Sequence, residues 1–401
     1  MPNPEALLSA ARARLGSSLD LLAELVEINT HADNAAGIAS CHALLERELD
    51  LLDFDVDRVE SSAPAHAGGP VVSRTHLVAR SRAPRKDAPS VLLMGHLDTV
   101  FSPTHAFRLL SKERDEWRGP GVADMKGGIV TALLTLALLR ELGALDLAAW
   151  RMVLASDEEQ GSPTAARVVE EAAKGADVAL CFEAARPCGG LVVARKGYGG
   201  VRVTARGKSG HAGIAHATSP NALTALARLI VEAEALEGRF DDVSVSPGGV
   251  VEVSPDSVTS IPDLARCEIE WRFSKPSSGE GVWSALGEIA AAIEREQGSR
   301  VELLGGVECP PMAPTPASDR LLACYVDAAA RLGMTVRGVE TAGVGDVNLV
   351  SKLGATCLDG VGPEGGGFHT DREFLVVDSI ARRAAMNALA LPRFLAELRA
   401  R

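Results

Sequence analysis

Three short, wholly apolar runs in this chain each lead into side chains of the kind that bind metal ions. Residues 91–94 precede His96-Leu97-Asp98, residues 152–155 precede Asp157-Glu158-Glu159, and residues 179–182 precede Glu183. A continuous apolar run without polar alternation marks a strand buried on both faces, and such strands need helices above and below them. In an open sheet of that kind, ligands bind beyond the carboxyl ends of the strands, where these residues fall. Two more candidates stand in glycine-rich turns: Asp124 within Gly119 to Gly128, and His369 after the glycines 365–367. Imidazole and carboxylate are the ligands of zinc and similar borderline ions. Five such ligands, one carboxylate shared, suffice for two ions, and a pair of ions is suited to hydrolysis.

Taken singly, each candidate has a plainer reading. His96 and Asp98 fit a metal-free strand-end turn. Asp124 fits an N-cap for a helix beginning at Met125, or a glycine-rich phosphate cradle, although the Gly-Lys-Ser/Thr ending of a P-loop is missing. Asp157 to Glu159 fit a solvated loop, because three adjacent like charges are costly unless hydrated or neutralised by cations. His369 fits a surface loop. The joint pattern favours metal: successive strand ends and turns all present ligand types, and no competing motif explains them.

Hydrophobic periodicity predicts helices over 5–28 and 35–52, strands over 71–81 and 90–95, and a long apolar helix over 125–142 closed by Gly143. A strand over 151–156, a helix over 163–173 and a strand over 178–182 follow. After Gly197 the pattern changes. Alternating strands over 199–206, 250–253, 267–273 and 300–304 accompany helices over 221–236 and 281–297, which fit a small sandwich of two helices on an antiparallel sheet. Pro310, Pro311, Pro314 and Pro316 mark an exit, followed by a helix over 319–332, a strand near Thr335 and a helix over 379–398. At 401 residues the chain exceeds one ordinary core. The expected fold is α/β, a mostly parallel sheet with helices on both faces, interrupted by an inserted α+β two-layer sandwich. The boundaries are 1–197, 198–308 for the insertion, and 309–401.

The formal charge of -12 and the lack of a Lys/Arg-rich tail argue against nucleic acid. The seven cysteines, Cys41, Cys181, Cys188, Cys267, Cys309, Cys324 and Cys357, are odd in number and include no Cys-x-x-Cys pair. They read as reduced, mostly buried thiols of a cytoplasmic protein. Residues 1–16 carry no apolar stretch behind a basic cap, so no secretory signal is expected. No window of uninterrupted apolar residues reaches membrane-spanning length, so no membrane partner is expected.

With these residues in hand, the chain resembles the dizinc aminoacylase and glutamate-carboxypeptidase family, a group of metallo-amidohydrolases and exopeptidases. The matching motifs are Gly95-His96-Leu97-Asp98-Thr99-Val100, Gly119 to Gly128, Asp157-Glu158-Glu159-Gln160-Gly161-Ser162, Phe182-Glu183, Gly207-Lys208-Ser209-Gly210-His211-Ala212-Gly213, and His369 ahead of Glu373-Phe374. Their order and spacing agree over nearly the whole chain, and the glutamate-carboxypeptidase-like branch is the one it resembles most. The resemblance implies a zinc exopeptidase-like catalytic domain split by a dimerisation or lid domain. It implies that His96 and Glu183 bind one zinc, Glu159 and His369 the other, and that Asp124 bridges them. Cobalt or manganese are possible substitutes. It further implies that Glu158 is the general base on the water the ions share and that Asp98 orients His96. His211 would reach the active site of a partner subunit to stabilise the oxyanion; its plainer reading is a local turn residue.

Four substrate contacts are implied in the same way. Arg272 falls where the family often has an arginine that grips a substrate carboxylate, a task suited to its bidentate fork; otherwise it is an outward residue on an alternating strand. Asp346 matches an acidic position near the site. Gly366 and Gly367 could offer backbone donors. Thr259 stands where the family usually has an asparagine three residues before Pro262. The expected activity is a zinc-dependent hydrolysis of an amide bond in a small peptide or N-acyl amino acid, releasing a C-terminal residue such as glutamate. The alternatives are an N-acyl amino acid or diamino acid deacylase and, in another class, a catalytically silent peptide binder. A silent relative would be expected to have lost ligands or the base, and none is missing here.

Overall fold

The computed structural model describes residues 3–65, 69–255 and 257–400. They form two compact units. One takes in the described residues of 1–194, 314–341 and 345–401, the other residues 195–313 with 342–344.

The first unit is built on an eight-stranded sheet among the described residues. Its order is Phe54–Pro64, Val71–Ser81, Ala149–Ala155, Ser90–His96, Val178–Cys181, Thr356–Asp359, Leu191–Arg195 and Gly338–Thr341. The centre is parallel: Ser90–His96 pairs in parallel with Ala149–Ala155 and Val178–Cys181, and Val178–Cys181 with Thr356–Asp359. Antiparallel pairs flank it on both sides. The central strand is buried from Val91 to His96, as a strand covered on both faces must be.

Two groups of helices cover the sheet. Gly127–Glu141 and Pro316–Arg331 both pack on Val377–Arg399, and Ala165–Ala173 packs with Asp346–Ser351. Gly127–Glu141 is apolar all round because it is buried all round, including Ile129, Leu133, Leu136 and Leu139. The buried hydroxyls of Thr131 and Thr135 return hydrogen bonds to the carbonyls of Gly127 and Thr131, both at 2.8 Å. Beyond the helix end, Gly143 takes φ +61, and Ala144 N–H reaches back to the Leu139 carbonyl. The stretch Val122–Glu141 is long and apolar enough to cross a membrane, but 89% of its most apolar window is buried inside the protein. It serves as the core helix of this unit.

Several local differences from the sequence reading have physical causes. The helix expected over 5–28 is two, Pro4–Ala13 and Leu15–Glu27, meeting at Arg14. The strand Phe54–Pro64 was not expected: it is a sheet edge whose only fully buried residue is Phe54. The strand expected near Thr335 lies at Gly338–Thr341, on the other edge.

The second unit has a four-stranded antiparallel sheet in the order Val243–Ser254, Leu264–Phe273, Gly197–Arg206 and Arg300–Cys309. Burial alternates along Leu264–Phe273, with Ala265, Cys267, Ile269, Trp271 and Phe273 facing in. Those side chains meet Leu226 and Leu229 of the helix Ala222–Glu234 and Val282, Leu286 and Ile293 of the helix Pro276–Gln297. Gly210–His211 and Ser260–Ile261 pair separately as a two-stranded ribbon.

Candidate metal centre

The side chains of one candidate group come together because two chain segments meet at a glycine. Gly128, at the start of the core helix, lies so close to the strand Val178–Cys181 and its exit that a Cβ there would sit 1.9 Å from the Phe182 carbonyl oxygen. Any larger residue would push the Asp124 turn away from Glu183. His96 approaches the same place as the last residue of its strand.

His96 is 1% exposed. Its Nδ1 lies 3.0 Å from the Asp98 backbone carbonyl, which can only accept, so one ring proton belongs on Nδ1 and Nε2 is the nitrogen free to take a second proton or a metal ion. Nε2 stands 3.3 Å from Asp124 Oδ1 and 3.4 Å from Glu183 Oε1. It is buried and has no hydrogen-bond partner. Around the other edge of Asp124, His369 Nε2 stands 3.3 Å from Asp124 Oδ2 and 3.0 Å from Glu159 Oε2. The described residues thus hold two groups of potential ligands, His96–Asp124–Glu183 and Asp124–Glu159–His369, which share Asp124.

These distances fit a metal. Ligand atoms about 2.0–2.2 Å from a tetrahedral zinc stand roughly 3.3–3.6 Å from one another. A buried ring nitrogen that makes no hydrogen bond, as at His96 Nε2 between two carboxylates, is costly unless a proton or a metal ion sits on it. The electrostatics agree. Burial disfavours a charged His96, yet Asp124, Asp98 and Glu183 outweigh it and raise its pKa well above the ordinary imidazole value. Asp124 and Glu159 push His369 up to about 10. Burial resists a charged Asp124, but His369 and His96 hold it well below the usual carboxylate range. Burial, with Asp124 beside it, raises Glu183. Such a field of carboxylates is neutralised by divalent cations as well as by protons.

His369 itself has φ +59, a left-handed conformation uncommon for histidine. It follows Gly367, whose φ of +71 admits a turn in which a Cβ would meet the Arg372 carbonyl oxygen at 2.4 Å. Gly366 lies in a short ladder opposite Phe374.

Asp98 does more than the sequence assigned to it. Its carbonyl orients His96, while its fully buried carboxylate accepts the backbone N–H groups of Glu158 at 3.1 Å and Glu159 at 2.9 Å. Glu158 belongs to neither ligand group but shares that turn. Burial pushes its carboxyl well above the carboxylate range, with Asp346, Glu183 and Asp98 acting in the same sense and His96 against it. Asp157, read as one of three crowded acids, turns away from the other two. It accepts Thr164 N–H at 2.9 Å and Ala165 N–H at 3.1 Å and so anchors the start of the helix Ala165–Ala173. The Asp346 carboxylate is 8% exposed and is bonded by the Ser162 hydroxyl. Burial pushes it up to about 6. It braces the far end of the turn that carries Glu158 and Glu159.

In the second unit, His211 caps the short helix Ala212–Ala215, its Nδ1 accepting Gly213 N–H at 3.2 Å. A neutral ring used in this way carries its proton on Nε2. The Thr259 carbonyl accepts Ala212 N–H at 2.9 Å, which holds it beside His211. Arg272 lies over the Tyr198 ring at 4.6 Å, with its Nη2 3.2 Å from Glu270 Oε2.

One further residue at the first site has no role in the sequence reading. The Glu373 carboxylate, 1% exposed, accepts N–H groups from Gly121, Ala123 and Asp124. Its place after His369 in a matched motif was the available signal.

Comparison with known proteins gives a consistent picture. The family model for peptidase family M20/M25/M40 matches residues 92–393. Carboxypeptidase G2 from Pseudomonas sp. is 29% identical over 397 residues, which covers 95% of this chain and 90% of that protein. A probable succinyl-diaminopimelate desuccinylase from Staphylococcus aureus is 27% identical over 203 residues, 49% of this chain and 46% of the relative. The crystal structure of aminopeptidase PepT from Bacillus cereus superposes with a TM-score of 0.77 at 20% identity, covering 95% of this chain and 99% of the other, a likeness of fold. The chain belongs to peptidase family M20/M25/M40 and is a hydrolytic enzyme of that metallopeptidase family.

Proposed function

We propose that this enzyme cleaves the amide bond of a small peptide or N-acyl amino acid and releases a C-terminal residue such as glutamate. The ligand sets assigned are His96, Asp124 and Glu183 for one ion and Asp124, Glu159 and His369 for the other. The observation that carries this reading is the buried, partnerless Nε2 of His96 beside a carboxylate shared by both groups. When bound there, two zinc ions supply Lewis acidity at the scissile carbonyl and lower the pKa of a water towards neutrality.

The chain's own residues do the rest. Glu158, outside both ligand groups and on the turn pinned by Asp98, takes a proton from the attacking water as its oxygen adds to the carbonyl carbon. The carboxyl then delivers that proton to the leaving nitrogen as the carbon–nitrogen bond breaks. His211, whose Nδ1 is occupied by Gly213 N–H, offers Nε2–H to the oxyanion, acting in the active site of a partner subunit of a homodimer. Arg272 grips the substrate carboxylate. Gly366, Gly367, Thr259 and Asp346 complete the substrate contacts or their support.

The extensive match to a carboxypeptidase favours this reading. The half-length match to a probable desuccinylase motivates the second one, an N-acyl amino acid or diamino acid deacylase. The test is amine release by zinc-loaded protein from dipeptides, folate-like glutamyl conjugates, and acetyl and succinyl amino acids. Preference for a C-terminal Glu or Asp supports the first reading, and preference for acyl compounds moves it to the second. No turnover across the panel with two metals bound counts against both.

A further inference from the structure

The turn that carries Asp124 has few supports of its own. Residues 121–124 offer four backbone N–H groups in succession. Val122 N–H is taken by the Gly119 carbonyl at 3.1 Å. The other three, from Gly121, Ala123 and Asp124, all go to one side chain: Glu373 Oε2 at 2.9 Å from Gly121, and Oε1 at 2.9 Å and 3.0 Å from Ala123 and Asp124. Buried backbone donors must be satisfied, and here a carboxylate from a distant part of the chain satisfies three.

The placement of Glu373 is set by a small sheet. Phe374–Val376 pairs antiparallel with Glu116–Arg118, Phe374 standing opposite Arg118. The first of these strands follows the His369 turn, and the second leads into the Asp124 turn. Glu373 sits just before that ladder begins, four residues after His369. One short segment therefore provides a ligand of one group and holds the backbone of the ligand common to both.

We infer that Glu373 is a positioning residue for the metal centre: its carboxylate fixes the Asp124 turn and ties it to the His369 turn. The inference rests on the reading of Asp124 as the shared ligand. Both acceptor oxygens matter to the role. A carboxamide of the same shape keeps one acceptor oxygen but turns an NH2 group towards N–H donors.

The experiment compares the full chain with Glu373→Gln, Glu373→Asp and Asp124→Asn. Zinc and cobalt affinities are measured by competition with a chromophoric chelator, and urea midpoints of the metal-free proteins are taken alongside. Glu373→Gln is expected to weaken both ions about 10–100-fold, the range for loss of a group that orients a ligand. Glu373→Asp, with its charge kept but its reach shortened, is expected to fall between it and the unaltered chain. Unchanged affinity for both ions in folded Glu373→Gln overturns the inference, even if its urea midpoint drops, because a purely structural role moves stability alone. Should Glu373→Gln fail to fold, Glu373→Asp decides by the same criterion. Asp124→Asn is expected to lose both ions. If it binds them normally, the ligand assignment fails and the inference falls with it.

Discussion

Asp98 Oδ2 accepts the backbone N–H of Glu159 at 2.9 Å, so the carboxylate that follows one candidate ligand positions the backbone of another. The Asp98 carbonyl, by contrast, serves His96. The carboxylate also lies 3.5 Å from His96 Nδ1, but the carbonyl contact at 3.0 Å survives a change of side chain, whereas an amide can no longer accept from both the Glu158 and Glu159 N–H groups. Asp98→Asn is therefore expected to weaken the ion held by Glu159 and His369, by about 10–100-fold, more than the ion held by His96 and Glu183. Stepwise cobalt titration, followed by the visible spectrum, separates the two. Equal weakening at both positions, or a greater loss on the His96 side, would contradict this division of labour.

Glu158 shares its turn with a ligand but belongs to neither group. Glu158→Gln keeps its shape and removes its ability to accept a proton. The expected result is a fall in kcat of about two to four orders of magnitude, with two metals still bound. Loss of metal together with activity would make Glu158 a ligand or a structural residue.

His369 and His96 differ in what their removal leaves. His369→Ala deprives only the Asp124–Glu159 group of a ligand, and the protein is expected to retain one tightly held ion per chain. Metal content after dialysis against a weak chelator reads this directly. Two ions retained would exclude His369 as a ligand.

The strands that end at His96, Ala155 and Cys181 were legible because a buried parallel strand is apolar throughout and the switch to charge is abrupt. The edge strand Phe54–Pro64 was not, since only Phe54 is fully buried and the polar residues along it carry no strong period. The ligand types were legible for the same reason as the central strands. The roles of neighbouring acids were not. Asp157, Glu158 and Glu159 are indistinguishable as letters; a left-handed Gly161 and the start of a helix decide that Asp157 caps and Glu159 faces His369. Glu373 shows the limit most clearly. Its place in a matched motif after His369 marks it as a position of interest, but nothing in the letters tells that its oxygens serve backbone donors about 250 positions earlier.

Arg272 is held on two sides, by the Tyr198 ring and by Glu270. In the proposed role a substrate carboxylate competes with Glu270 for the guanidinium. A partly exposed pair of this kind is worth at most about 1 kcal/mol. Glu270→Gln is therefore expected to lower KM for substrates with a free carboxylate by up to about fivefold, while Arg272→Ala raises it. Neither change should affect an analogue whose carboxylate is amidated. Equal effects on the amidated analogue would remove Arg272 from carboxylate recognition.

His42 lies on the helix Ala35–Leu51, fully buried, with neither ring nitrogen hydrogen-bonded. Burial pushes its pKa down to about 4, with Arg58 and His76 acting in the same sense and Glu46 opposing. An unfolded histidine titrates near 6.5. Between these values the unfolded chain binds the proton at this residue and the folded one does not, so the His42 contribution to stability rises with pH in that window. The contribution is complete above about pH 6.5 and is lost as pH falls towards 4, amounting to about 3 kcal/mol at most. Burial lowers His76 as well, so it adds to the same slope. Asp346, Glu158 and Glu183, whose pKa values are raised by burial, act in the opposite sense but are common to both proteins. Urea unfolding of the metal-free protein at a series of pH values is therefore expected to show the stability of the unaltered chain relative to His42→Leu falling from pH 6.5 to 4. An identical slope in the two proteins would mean that His42 is protonated in the folded state or reached by water there.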